Sequence, residues 1–127
     1  MKKQHTEMTK EELLKTDYEK LPDTVKGTGD TSDYVFVRVD SRKLSSGENA
    51  YIYAQCYKDS PGFPIAYEVI RPNIRECVDM STGADGKRVV KPLGRYKESY
   101  PCSEDWGKRA HTFTDKDRAY GYFMKMV

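Results

Sequence analysis

Aliphatic side chains are scarce in this chain. Leucine, isoleucine, valine and phenylalanine together supply 22 of its 127 residues, below the roughly 20% at which globular chains shade into disorder. A sheet or helix is stable only when it buries an apolar face, so a fold built here must draw on other material. Net charge is only +2, so the chain does not repel itself open. It also carries ten tyrosines, and a tyrosine ring fills a core when its hydroxyl finds a partner. The expectation is one small folded domain with a thin aliphatic core and a heavy tyrosine load.

Several classes drop out early. No apolar run approaches the ~20 residues of a membrane span. The start, Met1-Lys2-Lys3-Gln4-His5, is basic, but no apolar stretch follows it, so no secretory signal and no membrane partner are expected. Cys56, Cys77 and Cys102 are an odd number at wide spacings. They form neither a disulfide framework nor a C-x-x-C site, and reduced thiols in the cytoplasm are the expectation. Positive charge concentrates mid-chain: residues 34–101 hold 11 basic and 8 acidic side chains, whereas residues 1–33 hold 6 and 8.

The element order follows from period and punctuation. Thr9-Lys10-Glu11-Glu12 has capping-box spacing, and Leu13, Leu14, Tyr18 and Leu21 follow before Pro22, which predicts a short helix over 10–20. Residues 22–33 read as a flexible linker, so that 1–33 forms an N-terminal appendage to a single domain over 34–127. Tyr34–Val39 alternates as a strand, and residues 40–49 are a polar loop. Tyr51–Tyr57 and Ile65–Arg71 form a hairpin about Ser60-Pro61-Gly62. Ile74–Met80 and Lys87–Lys91 pair through a turn at Asp85-Gly86. Pro92, Gly94 and Pro101 bracket an irregular stretch. His111–Phe113 is a short strand, and a helix starts near Asp115 with Ala119, Phe123 and Met126 on one face. The fold class is α+β: a small antiparallel sheet with a C-terminal helix packed on one face and a short N-terminal helix.

Catalytic and metal chemistry find little footing. Gly83-Ala84-Asp85-Gly86-Lys87-Arg88 is too short for a Walker loop and lacks the Ser/Thr that holds magnesium. Cys102 and His111 offer a formal thiol–imidazole pair with Asp115 as orienter, yet nothing around them shapes a nucleophile. Glu104 and Asp105 beside Trp106 are explained equally well as a solvated turn. Asp115 and Asp117 lack the following ligand and glycine of a calcium loop, and helix capping accounts for them. No zinc spacing occurs. A non-enzyme without cofactor or metal is expected.

Two surfaces remain as candidates. The first is an aromatic sheet face carrying Tyr34, Phe36 and Arg38 on one strand and Tyr51, Tyr53 and Tyr57 on the next. Exposed, it could stack bases or anchor a protein. Covered by a helix or long loop, it is ordinary core, and the thin aliphatic supply favours the covered state. Val35/Val37/Val39 and Ile52/Ala54/Cys56 make the opposite, aliphatic face. The second candidate is the basic run Lys87, Arg88, Lys91, Arg95, Tyr96 and Lys97, suited to phosphate backbones or an acidic protein surface, or else a lysine-guarded strand edge.

The segment Tyr100-Pro101-Cys102-Ser103-Glu104-Asp105-Trp106-Gly107, continuing through His111-Thr112-Phe113 to Ala119, resembles a pattern of small α+β proteins of bacteriophages and mobile elements. It spans about a fifth of the chain, with Cys102 in place of the usual small residue. Trp106-Gly107-Lys108 with Phe113, Ala119 and Phe123 also resembles the end of a WGR nucleic-acid-associated domain, with lysine for arginine. The phage resemblance implies a small stoichiometric binder, an anti-CRISPR-like inhibitor acting on a host protein or ribonucleoprotein complex. The alternative is a module binding RNA or single-stranded nucleic acid through the tyrosine face or the basic run. A core this thin leaves room for homo-oligomerisation.

Overall fold

The structure is a computed structural model that describes residues 9–127. The basic start, with His5, lies outside the described residues. In chain order these residues form α1 (Lys10–Leu14), β1 (Thr24–Lys26), β2 (Tyr34–Lys43), β3 (Asn49–Tyr57), β4 (Ala66–Ile70), β5 (Asn73–Thr82), β6 (Arg88–Ser99), β7 (Ala110–Phe113) and α2 (Lys116–Lys125). Strands β1-β2-β3-β4-β7 make one antiparallel sheet, and β5-β6 make a separate two-stranded ribbon. The α+β class read from the sequence is the class observed.

The chain divides into two compact units. One joins the residues up to Leu21 with Asn73–Ser99; the other joins Pro22–Pro72 with Tyr100–Val127.

In the first unit, α1 begins at the capping box: the Glu12 amide donates to Thr9 Oγ1 at 3.2 Å, and the Thr9 amide donates to Glu12 Oε1 at 3.1 Å. The helix stops at Leu14 instead of running to residue 20. Its narrow apolar stripe buries no residue, and a helix this short has little to hold it beyond its cap. The backbone at Glu19 pairs instead with β6, with Glu19 N–H to Tyr96 O at 2.8 Å and Glu98 N–H to Glu19 O at 2.7 Å. Buried Glu98 accepts from the Leu21 amide at 2.9 Å. The ribbon closes through a turn at Gly83–Lys87, where Gly86 takes φ +79° and Asp85 accepts from the Lys87 amide.

Strand β6 continues through Pro92 and Gly94, and the irregularity the sequence predicts there takes the form of a break in register. Both lie beside a register shift between Glu76 and Val78, and a strand tolerates proline at such an edge or bulge. Gly94 takes φ +71°, and its amide donates to Glu76 Oε2 at 3.1 Å.

The second unit is the sheet and α2. Helix α2 is capped by Asp115, which accepts from the Asp117 amide at 2.9 Å. It packs on the face carrying Ala50, Ile52 and Val69, where Leu44, Ala119 and Phe123 complete a buried cluster. Arg42 closes the far end of α2, donating to the carbonyls of Phe123 and Met126 at 2.9 and 2.5 Å. Val35 and Val37 lie on this aliphatic face opposite Cys56 and Ala54. Val39 does not: the register shifts between Arg38 and Asp40, and Val39 is exposed. A bulge inserts one residue and so breaks the period-two alternation.

The segments read as linker and polar loop are more ordered than expected. Within 22–33, β1 pairs with β2 and Gly29–Thr31 forms a 3-10 turn. Within 40–49, the strands extend to Lys43 and from Asn49, leaving a short loop in which Leu44 and Glu48 are buried.

Candidate functional site

The tyrosine face is core, not surface. Phe36, Tyr51 and Tyr53 are buried, and Tyr53 is 0% exposed. Tyr100, which follows β6, packs on Phe36 and Tyr53, with ring centroids 5.7 and 5.5 Å apart, and Tyr51 packs edge-on against Tyr53 at 5.9 Å. The Tyr53 hydroxyl donates to the Pro22 carbonyl at 2.7 Å, the kind of partner a buried phenol needs. Arg38 is committed to Asp23 through a side-chain hydrogen bond, with its guanidinium carbon 5.7 Å from the Tyr51 ring centre. Tyr34 and Tyr57 stand opposite each other at the end of β2 and β3, rings 5.1 Å apart, and Tyr57 is half exposed. Of the six residues predicted as an aromatic binding face, the central three are therefore unavailable to bases or partners.

Burial of this face creates a different feature that sequence reading missed. Glu68 sits in the middle of β4, between Tyr53 on β3 and Thr112 on β7, and is 7% exposed. The Tyr100 hydroxyl donates to its Oε1, and Thr112 donates to Oε2 at 3.5 Å. The Trp106 indole N–H donates in turn to Thr112 Oγ1 at 2.8 Å. Burial pushes the Glu68 carboxyl above its ordinary value, and these two hydroxyl donors oppose the rise. The Tyr100 phenol is pushed far upward by burial first and by the Glu68 charge second.

Glu68 lines a cleft of about 680 Å³ together with Phe36, Tyr100, Pro101, Trp106 and residues of the segment from Val25 to Thr31. That size is typical of small-molecule sites. That segment is tightly made: a Cβ at Gly27 would stand 1.9 Å from the Thr31 carbonyl oxygen. The Thr31 hydroxyl ties the turn together, accepting from the Thr28 amide at 3.1 Å and donating to the Thr28 carbonyl at 2.9 Å. Lys26 and Asp30 stand at the cleft. Position 68 falls on the same face as Tyr53 and Phe36, so a lone acid on an aromatic face was the available signal. The contributions of Tyr100 and Trp106 come from a segment more than thirty positions away and carried no such mark.

The residues of the second candidate surface fall on the β5–β6 ribbon. Lys87, Arg88, Lys91, Arg95 and Lys97 lie on the ribbon and are exposed, while Tyr96 is half-buried. Arg75 pairs directly with Lys97 across the ribbon, a like-charge juxtaposition that is unfavourable without a neutralising partner. Among the described residues, neither Arg75 nor any of those five cations makes an ion pair. The ribbon also shows what charge counting hid. Val78 pairs with Pro92 and Met80 with Val90, which puts these four on one face. Val78, Met80 and Val90 are 43%, 51% and 54% exposed.

The formal thiol–imidazole pair is not assembled. His111 Nε2 lies 2.8 Å from the Tyr122 hydroxyl, and Cys102 Sγ lies 3.4 Å from Asp105 Oδ2. Asp105 also accepts from the Cys102 amide at 3.0 Å, as the turn reading of Glu104-Asp105 supposes. Among the described residues, no group of three His, Cys, Asp or Glu side chains is arranged to hold a metal, and no helix is long and apolar enough to cross a membrane. No known protein family, no curated protein and no solved structure matches the chain.

Proposed function

We propose that this chain is a non-enzymatic protein-binding module whose working surface is the β5–β6 ribbon. One observation carries the reading: an exposed apolar stripe of Val78, Met80 and Val90 on the same ribbon as cations that no described residue neutralises. An isolated two-stranded ribbon is marginal in water, and apolar side chains on both its strands gain most from a surface that covers them. The flanking cations select an acidic rim on that surface. The matching partner is a protein with an apolar centre and acidic surround, met in the cytoplasm. The resemblance to phage proteins narrows this to an inhibitor acting on a host defence complex.

The test is a pull-down from native lysate with the full chain, set beside the double variant Met80→Glu, Val90→Glu. A stoichiometric acidic protein is expected with the wild type and is expected to be lost with the variant, while both chains melt alike. Recovery of RNA in place of protein, with binding that falls steeply as salt rises, overturns the protein reading in favour of the nucleic-acid one. Recovery of no partner counts against both.

A further inference from the structure

The cleft above Glu68 has no part in that proposal, and its chemistry is distinct. Its floor is a carboxyl buried on the central sheet, held by two hydroxyl donors but in ion pair with no described residue. Phe36, Tyr100 and Trp106 line it with Pro101. Lys26 pairs with Val35 on the opposite, aliphatic face of the sheet, so the charged lining residues left on the cleft side are the acids Asp30 and Glu68. A buried carboxylate lacking a counter-ion is costly, and an entering cation relieves that cost. Aromatic faces attract the same ligand through their quadrupoles, more strongly where water is excluded. An anion would meet Glu68 unfavourably, and a neutral apolar ligand would leave its charge uncompensated.

We propose that this cleft is a receptor for an alkylammonium group, seating the nitrogen against Glu68 and the methylene stem between the Trp106 and Tyr100 rings. The same chemistry is carried by a free primary amine and by a lysine side chain of another protein. Tyr100 and Thr112 act as positioning residues: their hydroxyls fix the carboxyl, and the Trp106 indole fixes Thr112.

Trp106 is the sole tryptophan of the chain, so its fluorescence reports on the cleft without a label. The full chain is titrated with butylammonium, with butanol as the neutral counterpart, and with a short alanine peptide holding one lysine. A saturable change with butylammonium, half complete at about 1 mM, and none with butanol is the expected result. A lysine peptide that binds more tightly than butylammonium identifies a protein-borne lysine as the source; equal binding identifies the free amine. Glu68→Gln keeps an acceptor for Tyr100 but removes the charge, and it is expected to weaken butylammonium binding roughly tenfold or more. Equal responses to butylammonium and butanol, or none to butylammonium, overturn the proposal in the wild-type chain alone. Unchanged affinity in Glu68→Gln overturns it as well.

Discussion

Glu68 is a carboxyl buried on an aromatic sheet face. A carboxyl raised by burial binds its proton at a higher pH when folded than when unfolded. Below the ordinary carboxylate value both states are protonated and the group costs nothing. As pH climbs toward the raised folded value, the unfolded chain ionises first, so stability falls with rising pH. Glutamine at this position has no such dependence. The melting temperature of Glu68→Gln is therefore expected to match wild type in acid and to exceed it by a few degrees at pH 8. Paired thermal melts across that range check this, and a gap that closes as pH rises would contradict it. The residue was visible in the sequence, on the same strand face as its aromatic neighbours. Its burial was not, because the ring that seals it, Tyr100, is 32 positions away.

At the scale of elements, the alternation in Tyr34–Val39 and Tyr51–Tyr57 was legible because period two is a property of neighbouring residues. It failed at Val39, where a bulge inserts a residue, and nothing in the local pattern marks a bulge whose cause is pairing with another strand. The polar loop at 40–49 misled for a related reason. Glu48 is buried there because Arg109, before β7, reaches it at 2.7 Å and Arg71 at 3.7 Å. Arg109 also donates to the carbonyls of Arg71 and Pro72 at 3.0 and 3.1 Å. This network ties the β2–β3 loop to the ends of β4 and β7. Removing Glu48 leaves two partly exposed guanidinium groups without their counter-ion, Arg109 at 19% and Arg71 at 32% side-chain exposure, so Glu48→Ala is expected to cost about 1.5–3 kcal/mol. Chemical denaturation measures this directly, and a loss under about 1 kcal/mol would place the network among ordinary surface pairs.

For the whole molecule, scarcity of aliphatic side chains explains the arrangement. The sheet has two faces to cover. One takes the available aliphatics and α2, with Phe123 and Ala119 buried against Ile52 and Val69. The other is sealed by tyrosines, whose hydroxyls are satisfied by Pro22 and Glu68. Composition made aromatic core the favoured reading, which holds for Phe36, Tyr51 and Tyr53 but not for Tyr57, half exposed at the strand end. It did not reveal that a loop segment would do the sealing, nor that a cleft would remain above an acid. The basic run was legible as charge, but its apolar companions became a stripe only through the cross-strand pairs Val78–Pro92 and Met80–Val90. With Phe36, Tyr51 and Tyr53 spent on the core, the ribbon is the surface proposed above for a protein partner. The most direct test places a photo-crosslinking amino acid at position 80 or 90 on the ribbon and, in a separate chain, at position 57 on the aromatic edge. Irradiation in native lysate is expected to trap the same acidic protein from 80 and from 90, and nothing in common from 57. A product from 57 with none from 80 or 90 would contradict the account.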